Sequence, residues 1–540
     1  MPAVLRPQRP PARPLAGLAA LLGLKPAAGR ADDGPDPAGG AITGITHDSR
    51  QVQPGDLYAA LPGAQQHGGE YALAAARAGA AGVLTDPAGR DLAAGCGLPL
   101  FVVTDPRARL GEVASWVYGH PSGRLALTGV TGTSGKTTTS YLIEAGLRAA
   151  GHRTGLIGGV QTRVAGQAVP SQLTTPEATD LQACLAVMAE RGVTAAAMEV
   201  SSHALALGRV AGTSFEVAVF TNLSQDHLDF HADMDDYFAA KAQLFTPVFA
   251  RSAVVNADDA HGRRLAASPK IPTTTYSAAG HPGADWRAAG VRAGADGSTF
   301  RVIGPGGVSA DVSLALPGEF NVANALAAIV ALVESGAGLA AAVAGVGSCT
   351  GVPGRLERVD AGTDARLTVL VDYSHKPGAV EAVLTALRPL TAGALTIVLG
   401  CGGDRDRAKR PLMGAAAARL ADTAIFTNDN PRSEDPLAIL DAMLSGALTV
   451  PPRARAHVVV EPDRAAAIDL AIARAGPGDI VLIAGKGHET GQYVGPAVIP
   501  FDDREVAAEA LSRRAAGREM MLGGPAPGAG RGPQSDPEDS

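Results

Sequence analysis

A three-domain α/β architecture is what this chain predicts, on three observations. Short apolar runs alternate with helical patterns over most of its length. Two breaker clusters, Tyr118-Gly-His-Pro-Ser-Gly123 and Gly351-Val-Pro-Gly354, divide it. Its 540 residues, at about 150 per domain, allow three or four domains. The expected division is an N-terminal extension over residues 1–40, compact units over 41–122, 123–353 and 354–516, and a Gly/Pro/Ser/Asp-rich tail over 517–540.

Composition narrows the class. Hydrophobic residues at 46% and charged residues at 18% suit globular cores rather than disorder. A formal charge of -7 gives no basic footprint for nucleic acid or an anionic membrane. It does not exclude phosphate binding, which needs local donors only. The four cysteines, Cys96, Cys184, Cys349 and Cys401, form no Cys-x-x-Cys pair, so a reducing cytoplasm and a fold without zinc or disulfides are expected. No apolar run approaches the roughly 20 residues that span a bilayer. A monomer is the expected form.

The Pro- and Arg-rich residues 1–14 are expected to be disordered. Leu15 to Leu24 then offers two readings, a short helix docking on the first domain or the apolar part of an export signal. In the middle unit Leu125–Val130 reads as a buried strand. Residues 136–150 read as a helix stopped by Gly151, and a further helix begins near Pro176. Strands follow at 195–200, 217–221 and 253–256. The third unit repeats the rhythm with strands at 367–372, 395–399, 423–427, 457–460 and 479–483. Strands alternating with helices imply largely parallel sheets covered on both faces. The central unit in particular should carry a mostly parallel sheet.

Between the first such strand and helix lies Thr131-Gly-Thr-Ser-Gly-Lys-Thr-Thr138. Backbone N–H groups of Gly132, Thr133, Ser134, Gly135, Thr137 and Thr138, the helix N-terminus and the Lys136 ammonium make a polyphosphate cradle. The Thr137 hydroxyl is suited to Mg²⁺. Val130 stands where the strict pattern has Gly, so the strand–loop–helix context carries part of the assignment. Glu199 ends another buried strand, where open α/β sheets bind ligands. Its neighbours Ala197, Met198 and Val200 argue against a merely solvated carboxylate. Thr221-Asn-Leu-Ser-Gln-Asp-His-Leu-Asp229 ends a third strand and offers His227 as a ligand beside hard oxygen donors. Lys241, alone in an apolar helix, is either a snorkelling cation or a partly buried amine open to modification.

These segments, with Met198-Glu-Val-Ser-Ser-His203, Tyr237-Phe-Ala-Ala-Lys-Ala-Gln-Leu-Phe245, Gly400-Cys-Gly-Gly-Asp-Arg-Asp406 and Asp429-Asn-Pro-Arg432 in this order, resemble the Mur ligases. The likeness runs from about residue 42 to 510. It is strongest to the branch that adds a third residue to UDP-N-acetylmuramoyl-L-alanyl-D-glutamate. It implies an N-terminal uridine-nucleotide-binding domain, a central ATPase and a C-terminal Rossmann-like domain that binds the amino acid. It also implies ATP as co-substrate, two Mg²⁺ ions, a cytoplasmic setting and a role in peptidoglycan synthesis.

Residue by residue, the resemblance assigns Ser49, Thr174, Thr175, Ser201 and Arg209 to the UDP-muramyl dipeptide. It assigns Asn321, Asn324, Arg355, Asp372 and His375 to ATP. Helix capping by Asn321 and a surface ion pair by Arg355 are the bland alternatives. Lys241 matches a lysine carbamylated in the family, giving Thr137, Glu199, His227 and carbamylated Lys241 as metal ligands. With Lys136, the last three form the catalytic set. Leu207 stands where many relatives have Gln, and Lys376 where many have Thr.

The amino-acid site implied is Arg405, Asp429, Asn430, Pro431, Arg432, Gly485 and Glu489. The planar fork of Arg432 suits a free carboxylate, which meso-2,6-diaminopimelate has at its far end and lysine or ornithine lacks. An exposed surface arginine is the alternative. The expected reaction joins that diamino acid to the dipeptide through an acyl phosphate. The same ligase taking ornithine or lysine remains open, and folylpolyglutamate synthase and a P-loop ATPase switch are more distant rivals.

Overall fold

The computed structural model describes residues 5–24, 40–169, 173–294, 297–359 and 367–522. The chain forms two compact units, Met1–Pro353 and Gly354–Ser540, so the first two expected domains pack as one body.

In the first unit, strands Gly44–Thr46, Asp56–Ala59, Gly82–Thr85 and Leu100–Val102 form a small parallel sheet in that order. Its helices start cleanly because Asp precedes Pro at their first turns. Asp86 accepts from the Gly89 N–H before Pro87–Ala93, and Asp105 from the Ala108 N–H before Pro106–Val117. The helix Leu15–Leu21 buries Leu15 and Leu18 against Ile42, Ile45 and Leu57, which is the docking-helix reading.

The disorder expected over residues 1–14 is corrected for residues 5–14. Arg6 pairs with buried Asp56 at 2.6 Å, the N–H groups of Gln8 and Arg9 donate to Glu190, and Arg13–Pro14 pairs with Ala41–Ile42. Partners distant in sequence, buried Asp56 and exposed Glu190 among them, order an arm whose composition alone reads as coil. Residues 1–4 lie outside the described residues.

The large sheet of this unit runs, edge to edge, through Gln167–Val169, Thr162–Val164, Thr154–Ile157, Ala195–Glu199, Ala126–Thr131, Phe215–Phe220, Ala250–Asn256, Thr273–Ser277, Trp286–Gly294, Gly297–Ile303 and Ser309–Leu314. Its centre is parallel. Both edges are antiparallel, an extension the alternation rule did not foresee. Side-chain alternation builds a core on each face. Ala195, Ala197, Val217 and Val219 face the helices Lys136–Ala149 and Glu319–Glu334. Ala196, Met198, Ala218 and Phe220 face Ala178–Glu190 and Met234–Ala242.

Register sets the C-terminal ends in one row: Glu199 lies opposite Val130, and Phe220 opposite Thr131. The loops that follow these strands therefore emerge side by side.

The second unit has a six-stranded sheet in the order Glu357–Arg358, Thr368–Asp372, Ile480–Ala484, Leu395–Leu399, Thr423–Phe426, His457–Val460, parallel except for its first strand. Helices Pro377–Leu387, Lys409–Leu420 and Pro436–Leu448 cover one face, and Arg464–Arg474 and Asp503–Leu522 the other. Asp372, Ala484, Leu399 and Phe426 stand in register at one edge. The helix Asp503–Leu522 continues past Gly517, where the tail was expected to begin. Residues 523–540 lie outside the described residues. No helix among the described residues is long and apolar enough to cross a membrane.

Candidate active site

The phosphate loop takes its shape from two glycines in left-handed or extended positive-φ conformations, Gly132 at φ 149° and Gly135 at φ 86°. A Cβ on Gly135 would meet Asn324 Oδ1 at 2.4 Å, so the loop also needs the missing side chain. The neighbouring strand end holds the loop in place. Thr133 N donates to Asn222 O at 2.9 Å, Ser134 N to Asn222 Oδ1 at 3.0 Å, and Thr221 Oγ1 to Ser134 O at 2.7 Å.

Two lysines converge on the same backbone oxygen. Lys136 Nζ donates to Gly132 O at 2.7 Å and Thr133 O at 3.0 Å, and Lys241 Nζ donates to Gly132 O at 2.9 Å. Lys241 is 1% exposed, and its ammonium lies 4.5 Å from the centre of the Tyr237 ring. It does not snorkel to solvent. Thr137 is buried in the first helical turn and Thr138 beside it.

Buried Glu199 accepts from the Gly159 N–H at 3.0 Å, and its backbone carbonyl accepts from Thr175 Oγ1 at 2.9 Å. Around it gather residues expected at the dipeptide. Thr174 Oγ1 lies 2.9 Å from where a Cβ on Gly159 would stand. The Ser201 N–H donates to Thr175 Oγ1 at 3.1 Å, and Arg209 donates to Thr175 O at 3.4 Å while pairing with Glu177 at 2.8 Å. Leu207 ends the short helix Ser202–Ala206 and offers no polar group there.

Ser49 opens a short 3-10 turn in the small sheet's domain. Tyr58, beside Ser49, donates to Gly68 O at 2.9 Å, which ties the Ser49 turn to the loop ending at Gly68. Burial pushes the Tyr58 phenol up to about 12.

His227 sits half-exposed at φ 54°, 2.8 Å from Asp226, with its ring edge-on to His203 at 4.8 Å. Burial, with the neighbouring imidazoles of His227 and His231, lowers His203 to about 4. Among the described residues no group of three His, Cys, Asp or Glu side chains is arranged to hold a metal. Mg²⁺ rarely needs such a cage, since it is commonly bound by one or two carboxylates, waters and substrate phosphates. Glu199 and the Thr137 hydroxyl beside a phosphate loop fit that donor set. Asn321 and Asn324 are buried and bonded to each other at 3.0 Å; Asn321 also donates to Pro317 O, fastening the start of its helix.

In the second unit, the aligned strand ends assemble a polar cluster. Asn430 Nδ2 donates to Glu489 Oε2 at 2.8 Å, and Lys486 Nζ donates to Asn430 Oδ1 at 2.9 Å. Asp429 packs against Gly485, where a Cβ would lie 2.6 Å from its carboxylate. Burial raises the Asp429 carboxyl, against the pull of Arg464 and Lys486. Pro431 is buried, and Arg432 stands at φ 52° with its guanidinium on Gly403 O at 2.8 Å. Arg405 is exposed nearby, bonded to Asp404 O.

Asp372 accepts from the N–H groups of Leu356 and Ser374, each at 2.8 Å. Arg355 stacks 4.6 Å over Tyr373, and His375 Nδ1 lies 2.6 Å from Tyr373 O. Lys376 precedes the helix Pro377–Leu387. The sequence reading missed Lys486, which sits inside Gly485-Lys-Gly-His-Glu489 but reads there as a solvated cation.

Comparison with known proteins agrees with this layout. Family profiles described as "Mur ligase family, catalytic domain", "Mur ligase middle domain" and "Mur ligase, glutamate ligase domain" match residues 41–118, 130–332 and 354–487. The UDP-N-acetylmuramoyl-L-alanyl-D-glutamate–2,6-diaminopimelate ligase of Streptomyces coelicolor is 59% identical, over 94% of this chain and 98% of its own. A UDP-N-acetylmuramyl-tripeptide synthetase of Leifsonia xyli subsp. xyli is 46% identical, over 94% and 98%. A solved structure of a UDP-N-acetylmuramoyl-L-alanyl-D-glutamate–2,6-diaminopimelate ligase matches with a TM-score of 0.64 at 33% identity, covering 92% of this chain and 98% of that one. By sequence and by fold alike, the chain belongs to the Mur ligase family.

Proposed function

We propose that this ATP-dependent ligase adds meso-2,6-diaminopimelate to UDP-N-acetylmuramoyl-L-alanyl-D-glutamate in the cytoplasm, acting as a monomer in peptidoglycan precursor synthesis. The observation that carries the reading is the position of Glu199. Its side chain belongs to the row of strand ends around the phosphate loop, and its own carbonyl is bonded to Thr175 among the dipeptide residues. Phosphate donor and carboxylate acceptor would thus meet at one edge of one sheet.

In this reading the D-glutamate side-chain carboxylate attacks the γ-phosphorus of ATP, and ADP leaves. The amine of the incoming residue then attacks the acyl carbon, losing a proton, and inorganic phosphate departs. Lys136 and the loop N–H groups face the charge on the transferring phosphoryl group. Asn321, Asn324, Arg355, Asp372 and His375 bind the rest of ATP, and Ser49, Thr174, Thr175, Ser201 and Arg209 the nucleotide peptide. Mg²⁺, two ions in this reading, would be held by Thr137, Glu199, His227 and a carbamylated Lys241, and supplies positive charge to the phosphates. Arg405, Asn430 and Arg432 take carboxylates of the amino acid, and Gly485 with Glu489 its distal ammonium.

Folylpolyglutamate synthase is disfavoured because residues 41–118, matched by a Mur family profile, would have no task. The test is phosphate release with each combination of UDP-muramyl dipeptide, folate and amino acids. Release that requires the dipeptide and a diamino acid together is expected. Release with folate, or without any second substrate, would overturn the assignment.

A further inference from the structure

Lys486 has no task in the proposal above, yet its side chain is 0% exposed in the middle of the residues assigned to the amino acid. A lysine is seldom buried this fully unless it is paired, because an ammonium is costly to remove from water. Its three N–H donors find Gly491 O at 2.6 Å, Asn430 Oδ1 at 2.9 Å and Glu489 Oε2 at 3.4 Å, with Asp429 Oδ1 at 3.9 Å.

Two consequences follow. Asn430 Oδ1 faces two donors, Lys486 and the Tyr493 N–H at 3.0 Å, so its amide cannot flip, and Nδ2 is committed to Glu489. The charge of the cluster is also trimmed. Asp429 and Glu489 bring two negative charges and Lys486 returns one, while Arg464 is matched by Asp503 at 2.7 Å. Around Lys486 itself, with Arg405 and Arg432 left to the carboxylates of the amino acid and Asp429 counted as ionised, one net negative charge remains, which balances one ammonium.

We infer that Lys486 is a positioning residue of the amino-acid site. It fixes the Asn430 amide and the Glu489 carboxylate in one orientation and leaves the site with charge for a single distal ammonium. This rests on the assignment of Asn430 and Glu489 to the amino acid.

The experiment is steady-state kinetics on the full chain and its Lys486→Met and Lys486→Gln variants, varying ATP, UDP-muramyl dipeptide and amino acid in turn. Lys486→Met should raise KM for the amino acid at least tenfold, about 1.4 kcal/mol, and leave KM for ATP and for the nucleotide peptide within about twofold. Lys486→Gln keeps a donor for Asn430 without the charge and should lie between the two. If Lys486→Met does not fold, the Gln variant carries the same comparison. An unchanged amino-acid KM, or a parallel rise for all three substrates, overturns the inference. The amino acid used is whichever the wild type accepts, so a different natural substrate would refute the diaminopimelate assignment and leave the Lys486 result standing.

Discussion

Replacing Lys241 with Ala separates a packing lysine from a chemically modified one. Lys241 and Lys136 donate to the same oxygen of Gly132, so two ammonium groups are close neighbours in a largely buried place. At an effective dielectric of about 20, two like charges about 5 Å apart repel by about 3 kcal/mol. Carbamylation turns Lys241 into an anion, converts that repulsion into attraction, and supplies a carboxylate-like ligand beside the phosphate loop. On this account Lys241→Ala should cut amino-acid-dependent phosphate release about a hundredfold, or about 2.7 kcal/mol in the barrier. Added acetate should restore part of the loss by standing in as a diffusible carboxylate. The assay is continuous phosphate release at saturating substrates, with intact mass of the wild type in bicarbonate to detect one added carbon dioxide. Wild-type rates in the variant without acetate would refute the reasoning.

Two further substitutions test other parts of the account. Lys136→Ala should abolish phosphate release while leaving the circular dichroism spectrum unchanged, because the ammonium serves the phosphates rather than the core; near-wild-type turnover would refute the phosphate-loop assignment. Arg464 and Asp503 form a fully buried bidentate pair, Nε and Nη2 each donating to one carboxylate oxygen at 2.7 Å. Arg464→Met should therefore cost about 3–5 kcal/mol by stranding a buried carboxylate, read as a shift of the unfolding transition to lower urea. Pairing it with Asp503→Leu should recover most of that loss.

The central fold was legible because its signals are local. A buried strand, a glycine turn and a helix at Leu125–Gly151 require no distant partner to recognise. The N-terminal arm was misread because what orders residues 5–14 is distant: Asp56, Glu190 and Trp116. The antiparallel strand Gly297–Ile303 was passed over although its buried Ser298, Phe300 and Val302 alternate cleanly. Small and polar residues around it diluted that signal.

At the site, Lys136, Glu199 and Asp429-Asn-Pro-Arg432 announce themselves at strand ends. Lys486 does not, since two of the groups it faces, Asp429 and Asn430, lie in a distant segment, and only Glu489 and Gly491 are local. Arg432 also depends on tertiary context. Its positive φ is held by Tyr493 O, which accepts its N–H at 2.9 Å, and by the Gly495 N–H, which donates to its carbonyl at 2.7 Å.

The most direct test of the central claim is a competition of meso-2,6-diaminopimelate, ornithine and lysine for the wild type and for Arg432→Ala, read as kcat/KM for each. A site that pairs a guanidinium with the distal carboxylate should favour diaminopimelate in the wild type by at least about a hundredfold. Arg432→Ala should lose about ten- to a hundredfold on that substrate alone, the worth of a charge-assisted hydrogen bond. A wild type that prefers ornithine or lysine, or an Arg432→Ala variant with unchanged selectivity, would contradict the account.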